Sequence, residues 1–583
     1  MKNMKKYIAF LLFGALALTA CNDALELRDN GTTDMSQVFS DANKTRGYLN
    51  SCYNYITGTN VRAGSFTDDA YDAQTISPGT KFDYWNNQTL NASNFGSYNY
   101  DGDPWGHYFQ GIRKCNVFLD NIEGATANIS DARRAAFSAQ AKVLRAYYYL
   151  QLVKRFGAVP LITSDLGASH DYSTDTRASV KDVIEQILKD CDEAIATPDS
   201  DDFAFVPANT AQTNMMNKAI AHAIRAEAAV YAVSPLFADC GFDKQQALTV
   251  AADALAQLLS HDFSLFTQTS EKYPNAYQAY FMYNGNDQRS VDKETIYSCS
   301  QVAVWSSCGV PLVQGTSTAG SCPSQELVDA YEMANGQPVL NLAKPYNDES
   351  HLQPNYNAGS GYNEAKPYEG RDPRFYSTVF YNMSKRGNAY VNTYVGGTSG
   401  LDRTNIRYTC TGYYMRKYAS DASNRNTNQD GYQRLMRLAD VYMNFAEVAY
   451  QVQGDAYKSV AGVNMSAADA VNAIRNRAGM PDLPANLSLA DFEARYRNER
   501  RIEFALEQDR FFSLRRWKAV ETAKQLTGMR ITQSGGNYTY ERFAFEPRQT
   551  ADAKYCLYPI NTGEANKMTA ILGEGNGWQN PGW

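Results

Sequence analysis

The spacing of apolar positions along this chain is dominated by the helical period. Between Asp131 and Phe156, the residues Phe137, Ala141, Leu144, Tyr148 and Leu152 recur at steps of four, three, four and four, which places them on one helix face. Ser130 or Asp131 can cap the start of this segment, and Gly157 followed by Pro160 ends it. A second segment carries Leu435, Leu438, Tyr442, Phe445 and Ala449 at steps of three and four, with Ala439 and Ala446 small enough to let a neighbouring helix approach. The same reasoning predicts helices over 36–56, 105–123, 178–197, 211–236, 244–260, 323–334, 466–478 and 489–526. Strand-like alternation is rare.

Helices in pairs joined by short turns predict a mainly α protein, a solenoid of hairpins compatible with tetratricopeptide-like packing, although the strict repeat signature is absent. Two long stretches, 57–104 and 265–433, lack a period and are rich in Tyr, Asn, Gly and Ser. Loops of that length inside a compact protein are functional or disordered, and their aromatic content argues for order. The expectation is a helical scaffold carrying ordered, ligand-facing loops. No shift in composition marks a linker, so one large domain or two interwoven subdomains fit the chain.

The first residues change the picture of where the protein works. Lys2, Lys5 and Lys6 precede an apolar run from Tyr7 to Leu18 and then Leu18-Thr19-Ala20-Cys21, the pattern of a lipoprotein signal peptide over 1–20 with Cys21 as the lipidated N-terminus. The run is shorter than the roughly 20 apolar residues a membrane span requires. The whole chain carries 55 basic and 62 acidic residues; removing the three leader lysines leaves 52 − 62 = −10. That balance disfavours nucleic acid as a partner.

Five histidines and no CxxC or HExxH spacing leave no usual zinc ligand set, and no cofactor is expected. A structural calcium held by carboxylates and carbonyls stays open. Besides Cys21 there are nine cysteines, at 52, 115, 191, 240, 299, 308, 322, 410 and 556. Their wide spacing reads as buried small apolar residues, with only the 299, 308, 322 group close enough for a local bridge.

Several stretches, in order along nearly the whole mature length, carry a resemblance. They are LRAYYYLQLVKRFGAVPLI (144–162), IEQILKDCDEAIA (184–196), PSQELVDAYEMANG (323–336), RDPRF (371–375), YYMRKY (413–418), RLADVYMNFAEVAY (437–450), AVNAIRNRAGMP (470–481), RNERRIEFALEQDRFFSLRRW (497–517), CLYPI (556–560) and WQNPGW (578–583). In these the chain resembles the SusD/RagB family of outer-membrane nutrient-binding lipoproteins. It departs at Ser513, where the family commonly has an acidic residue, and in a longer tail between Asn566 and Trp578. The resemblance implies a right-handed α-helical fold with four tetratricopeptide-like helix pairs and a large irregular ligand region, its N-terminal part about 21–235 and its C-terminal part about 265–583. It further implies a surface-exposed lipid anchor in the outer membrane, a SusC-like TonB-dependent transporter as partner, and binding without turnover of a glycan or, for RagB-like members, a peptide.

Sugar binding needs aromatic rings that stack on the apolar faces of the sugar, and amides or carboxylates that fix its hydroxyls. Tyr84, Trp85, Asn86 and Asn87 offer both in what reads as a Gly- and Ser-flanked loop, from which the family's ligand-contacting aromatics commonly come; the alternative is that Trp85 packs the loop. Tyr280, Tyr283, Asn284 and Trp305 form a second candidate patch, and they too can serve as core anchors. Asp68 and Asp69 can bind hydroxyls or stand as solvated or capping carboxylates. Trp105, with Tyr108 and Ile112 at helical spacing, is assigned to structure, as are Tyr147, Tyr148 and Tyr149. Glu499, Glu503 and Glu507 fall four apart among Arg497, Arg500, Arg501 and Arg510, which predicts a partly buried ion-pair network. A glycosidase pair facing across a cleft is the competing reading.

Overall fold

The computed structural model describes residues 34–583 apart from 59, 168, 207–213, 283–290, 303, 305–310, 312–317, 423–430, 574 and 576. Cys21 and the leader lie outside the described residues, as do Tyr283, Asn284, Trp305 and Cys308. Among the described helices none is long and apolar enough to cross a membrane.

The periodic segments are helices: Pro104–Ile122, Asp131–Phe156, Val180–Ile195, Lys218–Val233, Lys244–Ser260, Leu438–Gln453 and Ala467–Arg477. Their ends follow local chemistry. The Ser130 side chain accepts from the Arg133 N–H at the start of the longest helix, and Gly157 at φ 70 ends it. Ser179 with Asp182, and Ser466 with Asp469, close capping boxes. These helices pack on one another around one large apolar core. At Gly111 an added Cβ would sit 2.7 Å from the Tyr148 ring and 2.9 Å from Tyr55, so glycine is what lets the Pro104–Ile122 and Asp131–Phe156 helices meet.

Three predicted spans break. The stretch 36–56 divides into Met35–Phe39, Ala42–Cys52 and a 3-10 turn, because the Asp41 side chain accepts from the Lys44 N–H and starts a new helix. The stretch 489–526 stops after Leu489–Glu503 and resumes as Asp509–Arg516. Leu506 and Gln508 between them adopt φ 64 and 80, a left-handed conformation that no helix continues. Leu435 lies on the strand Tyr432–Arg437, paired antiparallel with Thr295–Gln301, and the helix begins only at Leu438.

The stretches that lack a period are ordered over their described residues. They contain short helices such as Lys81–Asn87, Ala276–Met282 and Pro373–Thr378, with strands that pair only two by two. A second apolar core, built on Tyr71, Tyr277, Tyr280, Phe281, Leu327, Phe375, Tyr413 and Met529, holds them together. The cysteines at 52, 115, 191, 240, 322, 410 and 556 are free thiols, as expected of small apolar packing residues, so Cys322 is in no local bridge.

Between the scaffold and this second core lies a connected network of buried charge. Arg374, Arg437, Arg475, Arg477, Arg495 and Lys417 face Asp372, Glu294, Glu332, Glu499, Glu503 and Glu507, six cations against six carboxylates. Glu503 alone meets Arg374 at 3.1 Å, Arg437 at 2.7 Å and Arg477. Burial pushes its pKa up, but Arg477, Arg437 and Arg374 outweigh burial and hold it well below the usual carboxylate range. Leaving a buried ion without its partner costs about 3–5 kcal/mol. Glu503→Gln, which keeps the shape and removes the charge, should therefore lower stability by about that amount at pH 7, read from urea midpoints. Because the folded pKa is depressed, the contribution is complete above the unfolded value near ~4.3 and is lost as pH falls through the folded one. The gap between wild type and variant should close on acidification; a gap that stays constant to pH 3 contradicts the assignment.

Candidate functional site

The structure separates the residues that sequence reasoning grouped. The segment carrying Tyr84, Trp85, Asn86 and Asn87 is the helix Lys81–Asn87, capped by Thr80, and helical geometry sets Trp85 and Asn86 on the buried side and Tyr84 and Asn87, three residues apart, on the other. Trp85 is 2% exposed, and Phe66, Phe95, Phe511 and Tyr555 surround its indole at 5.0 to 6.3 Å. No ring face is left for a sugar, so Trp85 is a packing residue. Asn86 is buried as well: its Nδ2 donates to the Phe82 carbonyl and its Oδ1 accepts from Arg548 at 2.6 Å. Tyr84 and Asn87 stand on the outer side. Tyr84 stacks on Tyr98 with centroids 3.6 Å apart, and Asn87 donates to Asp83 at 2.8 Å.

Asp68 and Asp69 are neither solvated nor helix caps. Asp68 accepts from Arg510 at 2.7 and 2.8 Å, and Asp69 accepts from Arg501 at 2.8 Å, both carboxylates being buried. Burial raises the Asp68 pKa, but Arg501 and Arg510 outweigh it and hold it low, whereas burial keeps Asp69 raised despite Arg501. Tyr280 is fully buried: its hydroxyl meets Thr295 Oγ1 at 2.9 Å and the Arg434 guanidinium lies 3.9 Å from its ring centroid. Among the described candidates, only Tyr84 and Asn87 keep a face toward solvent.

A concave site does exist elsewhere. An open groove of about 540 Å³ runs between the Pro104–Ile122 helix, the loop 160–175 and the C-terminal helix Thr562–Leu572. Trp105, Phe109 and Trp578 line its aromatic floor, with Trp105 4.9 Å from Phe109 and 6.3 Å from Trp578. Tyr172, 50% exposed, rises at the edge. The rim is polar: Arg113 Nε meets Asp165 at 3.3 Å, His170 Nε2 meets Asp175 at 2.8 Å, and Ser164 and Glu564 complete it.

The groove is held by its surroundings. Asn116 Nδ2 donates to the Ile162 and Ser164 carbonyls, and the Tyr149 hydroxyl donates to Ile162 O at 2.7 Å, which pins the loop to two helices. Arg177 donates to the Ala158, Phe156 and Trp578 carbonyls, anchoring the tail that carries Trp578. Burial lowers its pKa to about 10, so it stays cationic at neutral pH. Aromatic floor and polar rim in a cleft of this size are what a pyranose requires. Among the described residues, no group of three or more His, Cys, Asp or Glu side chains is arranged to hold a metal ion.

Sequence reasoning named Trp105 but gave it to structure, and it missed the rest. Phe109 lies four residues after Trp105, beside the Trp105, Tyr108, Ile112 stripe and not on it, so it flanks the packed face. Tyr172 sits in a polar stretch with no period, and Trp578 joins the groove only through the fold of the tail. The paired aromatics of WQNPGW were the available signal.

Comparison with known proteins fits this architecture. No curated protein matches the chain. A SusD-like protein from Bacteroides fragilis is 24% identical, covering 94% of this chain and 99% of that one, with a TM-score of 0.72. A SusD-like carbohydrate binding protein from the same organism is 21% identical over 91% and 98%, with a TM-score of 0.65. A protein described as a laminarin binding SusD-like protein is 20% identical over 93% and 100%, with a TM-score of 0.54. At these identities the likeness establishes the mainly helical fold. A family described as starch-binding and associating with the outer membrane matches residues 25–216, and the SusD family matches residues 266–583. With more than half of its length matched by that model, the chain belongs to the SusD family.

Proposed function

We propose that this protein is a surface glycan-binding lipoprotein, held in the outer membrane through a lipid on Cys21, which captures an oligosaccharide or polysaccharide and hands it to a TonB-dependent transporter of the SusC type. The observation that carries the binding role is the aromatic-floored groove of about 540 Å³ on a chain of the SusD family. The relatives described as carbohydrate or laminarin binding support the same ligand class. Phe109 and Tyr172, backed by the nearly buried Trp105 and Trp578, stack a sugar ring while Asp165, Asp175, Ser164 and Arg113 bind its hydroxyls. Their carboxylates are engaged with Arg113 and His170, which suits holding a sugar over cleaving it. The role is non-catalytic. Anchoring on one lipidated residue keeps the groove near the transporter, raising the local glycan concentration at the pore without new contacts.

The test is calorimetric titration of protein lacking residues 1–21 against soluble polysaccharides, host glycans and peptides. Phe109→Ala and Tyr172→Ala should each weaken glycan binding about tenfold, as for an interface anchor, whereas Trp85→Ala should lower the unfolding temperature. Loss of binding on Trp305→Ala with Tyr172→Ala unaffected would move the site to the 265–433 region. Peptide binding alone would favour a RagB-like role, and release of reducing ends would overturn the non-catalytic reading.

The anchor has its own readout. Cys21→Ala in the full-length chain should abolish lipid labelling and shift the protein from the membrane to the soluble fraction; unchanged labelling would sink the assignment.

A further inference from the structure

The groove between the Pro104–Ile122 helix, the loop 160–175 and the Thr562–Leu572 helix carries more than an aromatic floor. Its charged lining is unequal in sign: Asp165, Asp175 and Glu564 stand against Arg113. Further carboxylates lie close behind. Asp120 accepts from the Asp165 N–H at 2.7 Å, and Asp171 caps the turn Tyr172–Thr174 by accepting from the Ser173 N–H at 2.9 Å. Ser173 holds the Asp171 pKa below the ordinary carboxylate value, so this group is ionised at neutral pH.

The cations near the groove do not cancel this charge. Arg113 gives its Nε to Asp165 at 3.3 Å, and Lys567 reaches Glu564 at 2.7 Å; both cations stand mostly in solvent, where such pairs are weak and screened. The partner of Asp175 is an imidazole, His170, and not a permanent cation. Arg177 is cationic, but its guanidinium is engaged with the Phe156, Ala158, Gly577 and Trp578 carbonyls and with Asn580. Recognition of a carboxylate or a sulfate calls for a cation free to meet it, best through the two parallel hydrogen bonds of a guanidinium. Arg113 already shares its fork with Asp165, and Arg177 faces carbonyls.

Hydrogen bonding points the same way. Ionised carboxylates only accept. The amide in the lining, Asn116, is engaged at both ends: its Nδ2 donates to the Ile162 and Ser164 carbonyls, and its Oδ1 accepts from Arg145 at 2.9 Å. A ligand seated here supplies hydrogens, as free sugar hydroxyls do, and any acidic group on it meets like charge. That juxtaposition weakens binding. With 62 acidic residues against 55 basic in the whole chain, the field at a distance has the same sign and slows approach as well.

We propose that the groove selects by charge: it takes uncharged glycans with free hydroxyls and rejects glycans that bear uronate or sulfate groups. The proposal rests on the groove being the glycan site, and it adds the class of glycan that this site admits.

The experiment is calorimetric titration of the protein lacking residues 1–21 with polymer pairs that differ in charge: dextran and dextran sulfate, galactan and polygalacturonate, and a β-glucan with its carboxymethyl derivative. At low ionic strength the acidic member of a bound pair should bind about tenfold or more weakly than the neutral one, and the gap should narrow in about 1 M salt, where screening acts within ~3 Å. Glu564→Lys reverses one exposed rim charge and should raise the affinity for the acidic member relative to its neutral partner about fivefold; Glu564→Gln should raise it about twofold. Unchanged unfolding temperatures show that both variants fold. An acidic polymer bound as tightly as its neutral partner, with both lost on Phe109→Ala, overturns the selection by charge and leaves the groove standing. A ratio that neither Glu564 variant moves overturns it too. Binding of none of the polymers, or binding indifferent to Phe109→Ala, overturns the groove as the glycan site and this inference with it.

Discussion

Charge neutrality in a place without water is the constraint on which this fold rests. The twelve ionised groups centred on Glu503 are drawn from the scaffold helices and from the stretches that lack a period of their own. A buried ion is tolerated only when its partners are in place, so the helices Leu489–Glu503 and Ala467–Arg477 cannot shift register against Arg374 or Glu294 without stranding a charge. Apolar burial is non-directional, whereas charge-assisted hydrogen bonds and bidentate ion pairs hold only in specific geometry. The network thus fixes how the second apolar core sits on the first.

That fixed relation lets one chain carry a stiff scaffold and a loop-built surface together. The helices bury long aromatic faces, whereas the loop-rich region spends its tyrosines on holding irregular backbone, as when Tyr376 accepts from the Arg371 N–H or Tyr413 bonds Gln325. The groove is made differently, from one scaffold helix, one pinned loop and the tail, so its shape depends on Asn116 and Arg177 as much as on the aromatics that line it.

The scaffold was legible because its period is local: Phe137 to Leu152 declare a helix from spacing alone, and the arginine-rich context of Glu499 and Glu503 declared an ion-pair network. The site was not legible in the same way. Trp85 and Tyr280 carry the chemistry of sugar binding, but burial decides their role, and burial depends on Phe511 and Tyr555 or on Arg434, far away in the chain. Asp68 and Asp69 misled for the same reason, since their arginines arrive from the far end of the sequence. The SusD resemblance did carry the fold, because it rests on many such local stretches in order.

Those distant pairings have a kinetic side. Arg548 donates to the carbonyls of Ser65 and Ala70, and Arg501 and Arg510 close on Asp69 and Asp68, sequence separations above 430 residues. Closing a loop so long costs entropy before any contact repays it, and contacts of this kind form slowly. The segment near residue 68 must therefore wait, partly unfolded, until the last part of the chain has arrived.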